Sequence, residues 1–210
     1  MELLEISLLG NTVQRWLIAL LVAVAAAVVL PIVKALVVRH LARIAERTET
    51  RWDDSAVALL RQTKGLFILI LALFVGSLFL SLPERVQGIT QAIVVIAVLV
   101  QGGIWLNAAI LLWLENYRER KLKQDPATVT TMTAVGFVAR LVLWSVILLL
   151  ALDNLGVDVT ALVAGLGVGG IAVALAVQNI LSDLFASLSI VLDKPFAVGD
   201  FLIIDSFLGS

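Results

Sequence analysis

The chain has 210 residues, 61% of them hydrophobic and 15% charged, with a net charge of −1 and a mean hydropathy of +1.07. A soluble domain is usually about 45–50% apolar and about a quarter charged, so this composition excludes an ordinary soluble globule, and the near-neutral charge gives nucleic acid no footing. The absence of cysteine removes disulfides and thiolate metal sites.

A bilayer core of about 30 Å takes about 20 helical residues to cross. Runs of that kind predict five spans, at roughly 13–38, 66–82, 89–114, 129–152 and 157–179. The first follows an acidic flank, MELLEISLLGN, and is too long for a signal-peptide core, so it reads as an uncleaved span. Pro31, late in it, is a candidate kink because proline lacks an N–H. Between the first two spans, RTETRWDDSAVALLRQTKG predicts a turn and a short helix capped by Asp53 or Asp54. Lys and Arg set the orientation: seven lie between Lys34 and Lys64 and four in 115–125. Basic loops stay in the cytoplasm, so the N-terminus is expected outside and the C-terminus inside, in a multi-pass protein of the cell membrane.

Polar groups at membrane depth are expensive and usually functional. The first four spans offer Gln101, Asn107, Arg140 and a few hydroxyls. Arg140 either snorkels to the interface and a lipid phosphate or pairs with a neighbouring helix. His40, the single histidine, lies in the first basic stretch. No HExxH, Ser–His–Asp set, buried Asp pair or Walker loop is present. The chain therefore reads as no enzyme, with no cofactor and no metal.

The fifth span carries the strongest signal. Residues 163–180, VAGLGVGGIAVALAVQNI, hold four glycines, although each glycine costs about 1 kcal/mol relative to alanine inside a helix. At about 100° per residue with Gly167 as origin, Ile171, Leu175 and Gln178 fall near 40°, 80° and 20°. Gly170 and Ala174 lie on one flank, Val168 and Ala172 on the other. Small residues let helices approach closely in lipid. Two small flanks suit identical neighbours on both sides, a heterologous contact that closes into a ring, with Ile171 and Leu175 toward the axis. The alternative is a tightly packed helix within a single bundle. Beyond Gln178 and Asn179, ILSDLFASLSIVLDKPF places Leu181, Leu184, Phe185 and Leu188 at helical spacing. That pattern predicts an amphipathic helix after a break.

Residues 164–203, AGLGVGGIAVALAVQNILSDLFASLSIVLDKPFAVGDFLI, resemble the small-conductance mechanosensitive (MscS-like) channels, with weaker support from TRWDDSAVALLRQ at 50–62. The resemblance implies an all-α membrane protein with five transmembrane helices per subunit, the last a kinked pore-lining helix, and the start of a cytoplasmic β-domain at the C-terminus. It implies three regions: 1–156, a peripheral tension-sensing part; 157–194, the pore helix and amphipathic half-helix; and 195–210, the beginning of the β-domain. Its hydrophobic constriction falls on Ile171 and Leu175. Its glycine grooves fall on Gly167 and Gly170, with Ala174 where the family has glycine. Its alanine knobs fall on Ala164 and Ala172, with Val168 in place of the middle small residue. The kink falls at Gln178 and Asn179, and Pro195, Phe196, Gly199 and Asp200 lead into the β-domain, of which little follows, as in a truncated or unusually short member. The implied partners are membrane lipids, further copies of the chain in a homo-oligomer (a heptamer), and permeating ions and small solutes. The implied function is a weakly selective channel opened by membrane tension that protects against osmotic shock. A non-conducting oligomeric scaffold and a transporter-like subunit are the alternatives.

Overall fold

The computed structural model of the chain describes residues 7–8, 10–45, 57–121, 126–195, 200–204 and 207–209. It is mostly helical and divides into two compact units, Met1–Asp158 and Val159–Ser210.

In the first unit, a short antiparallel pair, β1 (Ser7–Leu8) and β2 (Asn11–Thr12), leads into α1 (Val13–Ala45), which runs unbroken through Pro31. A helical turn over 57–61 follows; Asp53 and Asp54, the expected caps, lie outside the described residues. Next come α2 (Gly65–Ser77), α3 (Glu84–Lys121) and α4 (Pro126–Asn154). The Pro83 carbonyl accepts the first α3 bonds, from Val86 and Gln87 at 2.9 and 3.0 Å, and Glu84 in the first turn complements the helix dipole. Helix α4 stops where Gly156 takes φ 79° and the Val157 N–H returns to the Leu152 carbonyl at 3.1 Å, a left-handed closure that glycine permits.

Packing runs through two close helix pairs, α1 with α2 and α3 with α4, with α2 also against α3. Glycines set the closeness. A Cβ at Gly76 would lie 2.7 Å from the Ala19 carbonyl oxygen and 2.8 Å from the Ala23 Cβ. A Cβ at Gly103 would collide with the Ile147 side chain, and one at Gly136 with Leu114. Polar side chains close both ends of α2. Gln101, 2% exposed, accepts the Lys64 N–H at 2.9 Å and donates to the Gln62 carbonyl at 3.4 Å. The same loop takes Lys34 Nζ on the Thr63 carbonyl at 2.6 Å and Trp105 Nε1 on Thr63 Oγ1 at 3.3 Å. At the other end, buried Asn11 donates to the Ser81 carbonyl at 2.9 Å and accepts the Ser81 N–H at 2.7 Å. Arg15 adds a bond to Ser81 Oγ at 2.8 Å.

Among the described residues, three helices are long and apolar enough to cross a membrane (α1, α3 and α4), and a fourth span results if the bent pair of the second unit counts as one. Length and composition alone do not confirm the count of five expected from the sequence, because α2 is short. Its 13 residues rise about 20 Å at 1.5 Å each, short of a bilayer core. The apolar run continues to Leu82, but the Phe79 and Leu80 N–H groups turn back onto Gly76 and Ser77 at 3.2 and 3.0 Å. Ser77 Oγ also donates to the Phe74 carbonyl at 2.7 Å.

The second unit holds α5 (Thr160–Ala176), α6 (Gln178–Asp193), and the antiparallel pair β3 (Leu202–Ile204) and β4 (Phe207–Gly209).

Candidate pore helix and its bend

Helix α5 is built from apolar residues on every face, and all of its residues are exposed. Ile171 is 64% and Leu175 66% exposed. Ala164, Gly167, Val168, Gly170, Ala172 and Ala174 lie on the same helix at the angular positions its sequence dictates. The glycines distinguish it. A Cβ added at Gly165, Gly167, Gly169 or Gly170 would meet nothing within 4 Å, so no contact within the second unit calls for any of them.

The bend between α5 and α6 is 61° and falls at Val177 (φ −100°, ψ 5°), which ends one helix and starts the other. Gln178 and Asn179, the positions expected to kink, form the first turn of α6. Its start has no side-chain cap, so Asn179, Ser182 and Asp183 do not serve as one. The ladder passes the bend through Val177 N–H to Val173 at 3.0 Å and Leu181 N–H to Val177 at 3.0 Å. Helix α6 is amphipathic, unlike α5. Its hydroxyls bond within the helix: Ser187 Oγ to the Asp183 carbonyl at 2.9 Å and Ser189 Oγ to Asp193 Oδ2 at 2.8 Å. Lys194, in the left-handed region at φ 45°, ends α6, and Pro195, which cannot continue a helix, follows. Asp200 precedes β3, whereas Phe196 and Gly199 lie outside the described residues.

Two of the polar groups at membrane depth bond within the first unit. Gln101 caps α2, as described. Arg140 Nε donates to the Gly136 carbonyl one turn back, at 3.1 Å. Asn107, Arg140, Trp144 and Ser145 share an open groove of about 570 Å³. Among the described residues no group of His, Asp and Glu could hold a metal.

The bend divides the chain where two family descriptions meet. Residues 134–178 match "Mechanosensitive ion channel, transmembrane helices 2/3", which covers most of α4 and all of α5. Residues 179–210 match "Mechanosensitive ion channel, beta-domain", which covers α6 and β3–β4. This is an MscS-like chain. It is 32% identical over 199 residues to a large-conductance mechanosensitive channel of Methanocaldococcus jannaschii, MscMJLR, a match that covers 93% of this chain and 55% of the relative. A second M. jannaschii protein, the small-conductance mechanosensitive channel MscMJ, is 28% identical over 205 residues, covering 93% of this chain and 57% of the relative. The low conductance mechanosensitive channel YnaI of Escherichia coli is 25% identical over 97 residues, 46% of this chain and 28% of the relative. The chain spans about half the length of the two M. jannaschii relatives. These names are of ion channels, not enzymes.

Proposed function

We propose that the chain is the membrane part of a tension-opened, weakly selective channel in the cell membrane, assembled as a ring of copies with α5 on the axis. The observation that carries this reading is the set of four α5 glycines with open space over every Cβ position. Glycine is costly in a helix, and here the second unit itself gives no packing in return. A neighbouring copy on each flank supplies that use for Gly167 and Gly170, with Ala174 beside them on one side and Ala164, Val168 and Ala172 on the other. Ile171 and Leu175 then form two apolar rings. A narrow apolar neck loses its water and closes without a plug. No charged ring lines it, which gives weak selectivity.

Tension acts as any effector must, by stabilising one of two states over the other; the state of larger in-plane area gains. Residues 1–156 are the sensing part, the bent 157–194 segment the gate, and 195–210, with Pro195, Phe196, Gly199 and Asp200, the lead into a cytoplasmic β-domain. The two basic stretches lie inside and the N-terminus outside. A seven-fold ring and release of solutes in osmotic shock follow from the family likeness.

The test is patch-clamp of the chain in liposomes under graded suction. Currents that rise with tension, discriminate little between ions and open at lower tension in Leu175→Ser support the channel. An unchanged threshold in Leu175→Ser removes Leu175 as the gate. Assembly without current in any patch favours the non-conducting scaffold.

A further inference from the structure

Helix α1 packs on the rest of its unit by one face only. Its buried and half-buried positions recur at helical spacing, through Ala19, Ala23, Leu30, Lys34, Val38 and Leu41. The opposite face is open along its length and changes character once. It is aliphatic through Leu21, Val28, Val29, Ile32 and Leu36, all exposed, and then basic at Arg39, His40 and Arg43, exposed too. At about 100° per residue, Leu36, Arg39, His40 and Arg43 share an arc of about 100°, roughly opposite Lys34, which is held to the Thr63 carbonyl. No described acid pairs with the three basic residues.

The change comes at a telling height. Arg15 and Arg39 bracket the aliphatic stretch and are separated by about 36 Å of helix at 1.5 Å per residue. That lies between the thickness of a hydrocarbon core, about 30 Å, and of the whole bilayer, about 40–45 Å. Guanidinium groups at Arg39 and Arg43 therefore fall among headgroups, while Leu36 still touches acyl chains.

We infer that the open face of α1 formed by Leu36, Arg39, His40 and Arg43 is a docking surface for anionic phospholipid headgroups. Cations beside a leaflet rich in anionic lipid gain favourable energy per residue at short range, and guanidinium matches phosphate geometry in two parallel bonds. The exposed aliphatic strip that continues into this patch favours a lipid over a soluble acidic partner, because one molecule with chains and a charged head satisfies both halves. The inference rests on α1 as a membrane-crossing helix and not on conduction.

The test uses the absence of native cysteine. Leu36→Cys carrying an environment-sensitive fluorophore is reconstituted in phosphatidylcholine bilayers. Quenching is then measured with trace spin-labelled phosphatidylglycerol and, separately, spin-labelled phosphatidylcholine. The expected result is several-fold stronger quenching by phosphatidylglycerol. That preference should fall to near equality in Arg39→Gln/Arg43→Gln, shrink in high salt, and stay unchanged in Arg118→Gln. Equal quenching by the two lipids, or a preference untouched by the double substitution, overturns the inference. So does a probe that neither lipid reaches, since protein would then cover the face. Persisting quenching by phosphatidylcholine in the double variant shows that it still folds into the bilayer.

Discussion

The two units of this chain use glycine in opposite ways. In the first, Gly76, Gly103 and Gly136 sit where a neighbouring helix already occupies the space a Cβ would take, so each is explained by α1, α4 or α3 of the same chain. In the second, four glycines crowd α5 with open space over every one. Nothing within the second unit itself accounts for these glycines. The first unit is packed by itself; on the proposed reading, the second is shaped for copies of itself.

The contrast can be broken most severely at Gly170. Gly170→Leu should leave the isolated chain folded, because nothing within the second unit stands in its way, yet abolish the proposed ring. Size-exclusion chromatography with light scattering should read monomers or small aggregates in place of one discrete oligomer, and a normal oligomer would contradict the reading. Next in size, Gly76→Ala should destabilise the α1–α2 pair by about 1–3 kcal/mol, the usual range for overpacking a tight contact, since the obstruction is the backbone oxygen of Ala19. Thermal unfolding in detergent checks it, and an unshifted midpoint would show that the pair yields freely.

Gln101→Leu should cost about 0.5–1.5 kcal/mol by taking from the Lys64 N–H its acceptor in a part-buried bond. In hydrogen exchange the 62–64 loop should lose protection before any other described loop, and uniform exchange would deny Gln101 its capping role. The smallest effect carries the opposite sign. Gly169→Ala should stabilise α5 by up to about 1 kcal/mol in the unassembled chain, where Gly76→Ala destabilises. Circular dichroism of dilute protein in detergent reads both.

The helix proposed to line the pore, and the neighbourhood of its bend, were legible in the sequence because the signal is local: Gly165 to Gly170, Ile171, Leu175 and the change from all-apolar to amphipathic near Gln178 lie within a few turns. The bend itself falls at Val177, a residue without turn chemistry, so only its neighbourhood could be read. The short α2 was not legible. Leu78, Leu80 and Leu82 are as apolar as the helix before them, and hydropathy cannot register that their backbone turns back on Gly76 and Ser77. The joints at the two ends of α2 were hidden for another reason. Asn11 with Ser81 and Gln101 with Lys64 are separated by 70 and 37 residues, and no periodicity encodes such pairs. Gln101 was conspicuous as a polar group at membrane depth; its role as a cap appears only once α2 and α3 are side by side.

The central claim is that α5 meets copies of itself through two different flanks. With no native cysteine, it is tested by oxidative cross-linking of Gly170→Cys, Ala172→Cys and the double variant in native-like membranes. A disulfide requires Cα atoms about 4.4–6.8 Å apart. A heterologous ring predicts that each single variant stays uncross-linked, while the double variant gives a ladder of products larger than dimers. A dimer from a single variant, with no ladder from the double, would show a two-fold contact and contradict the ring.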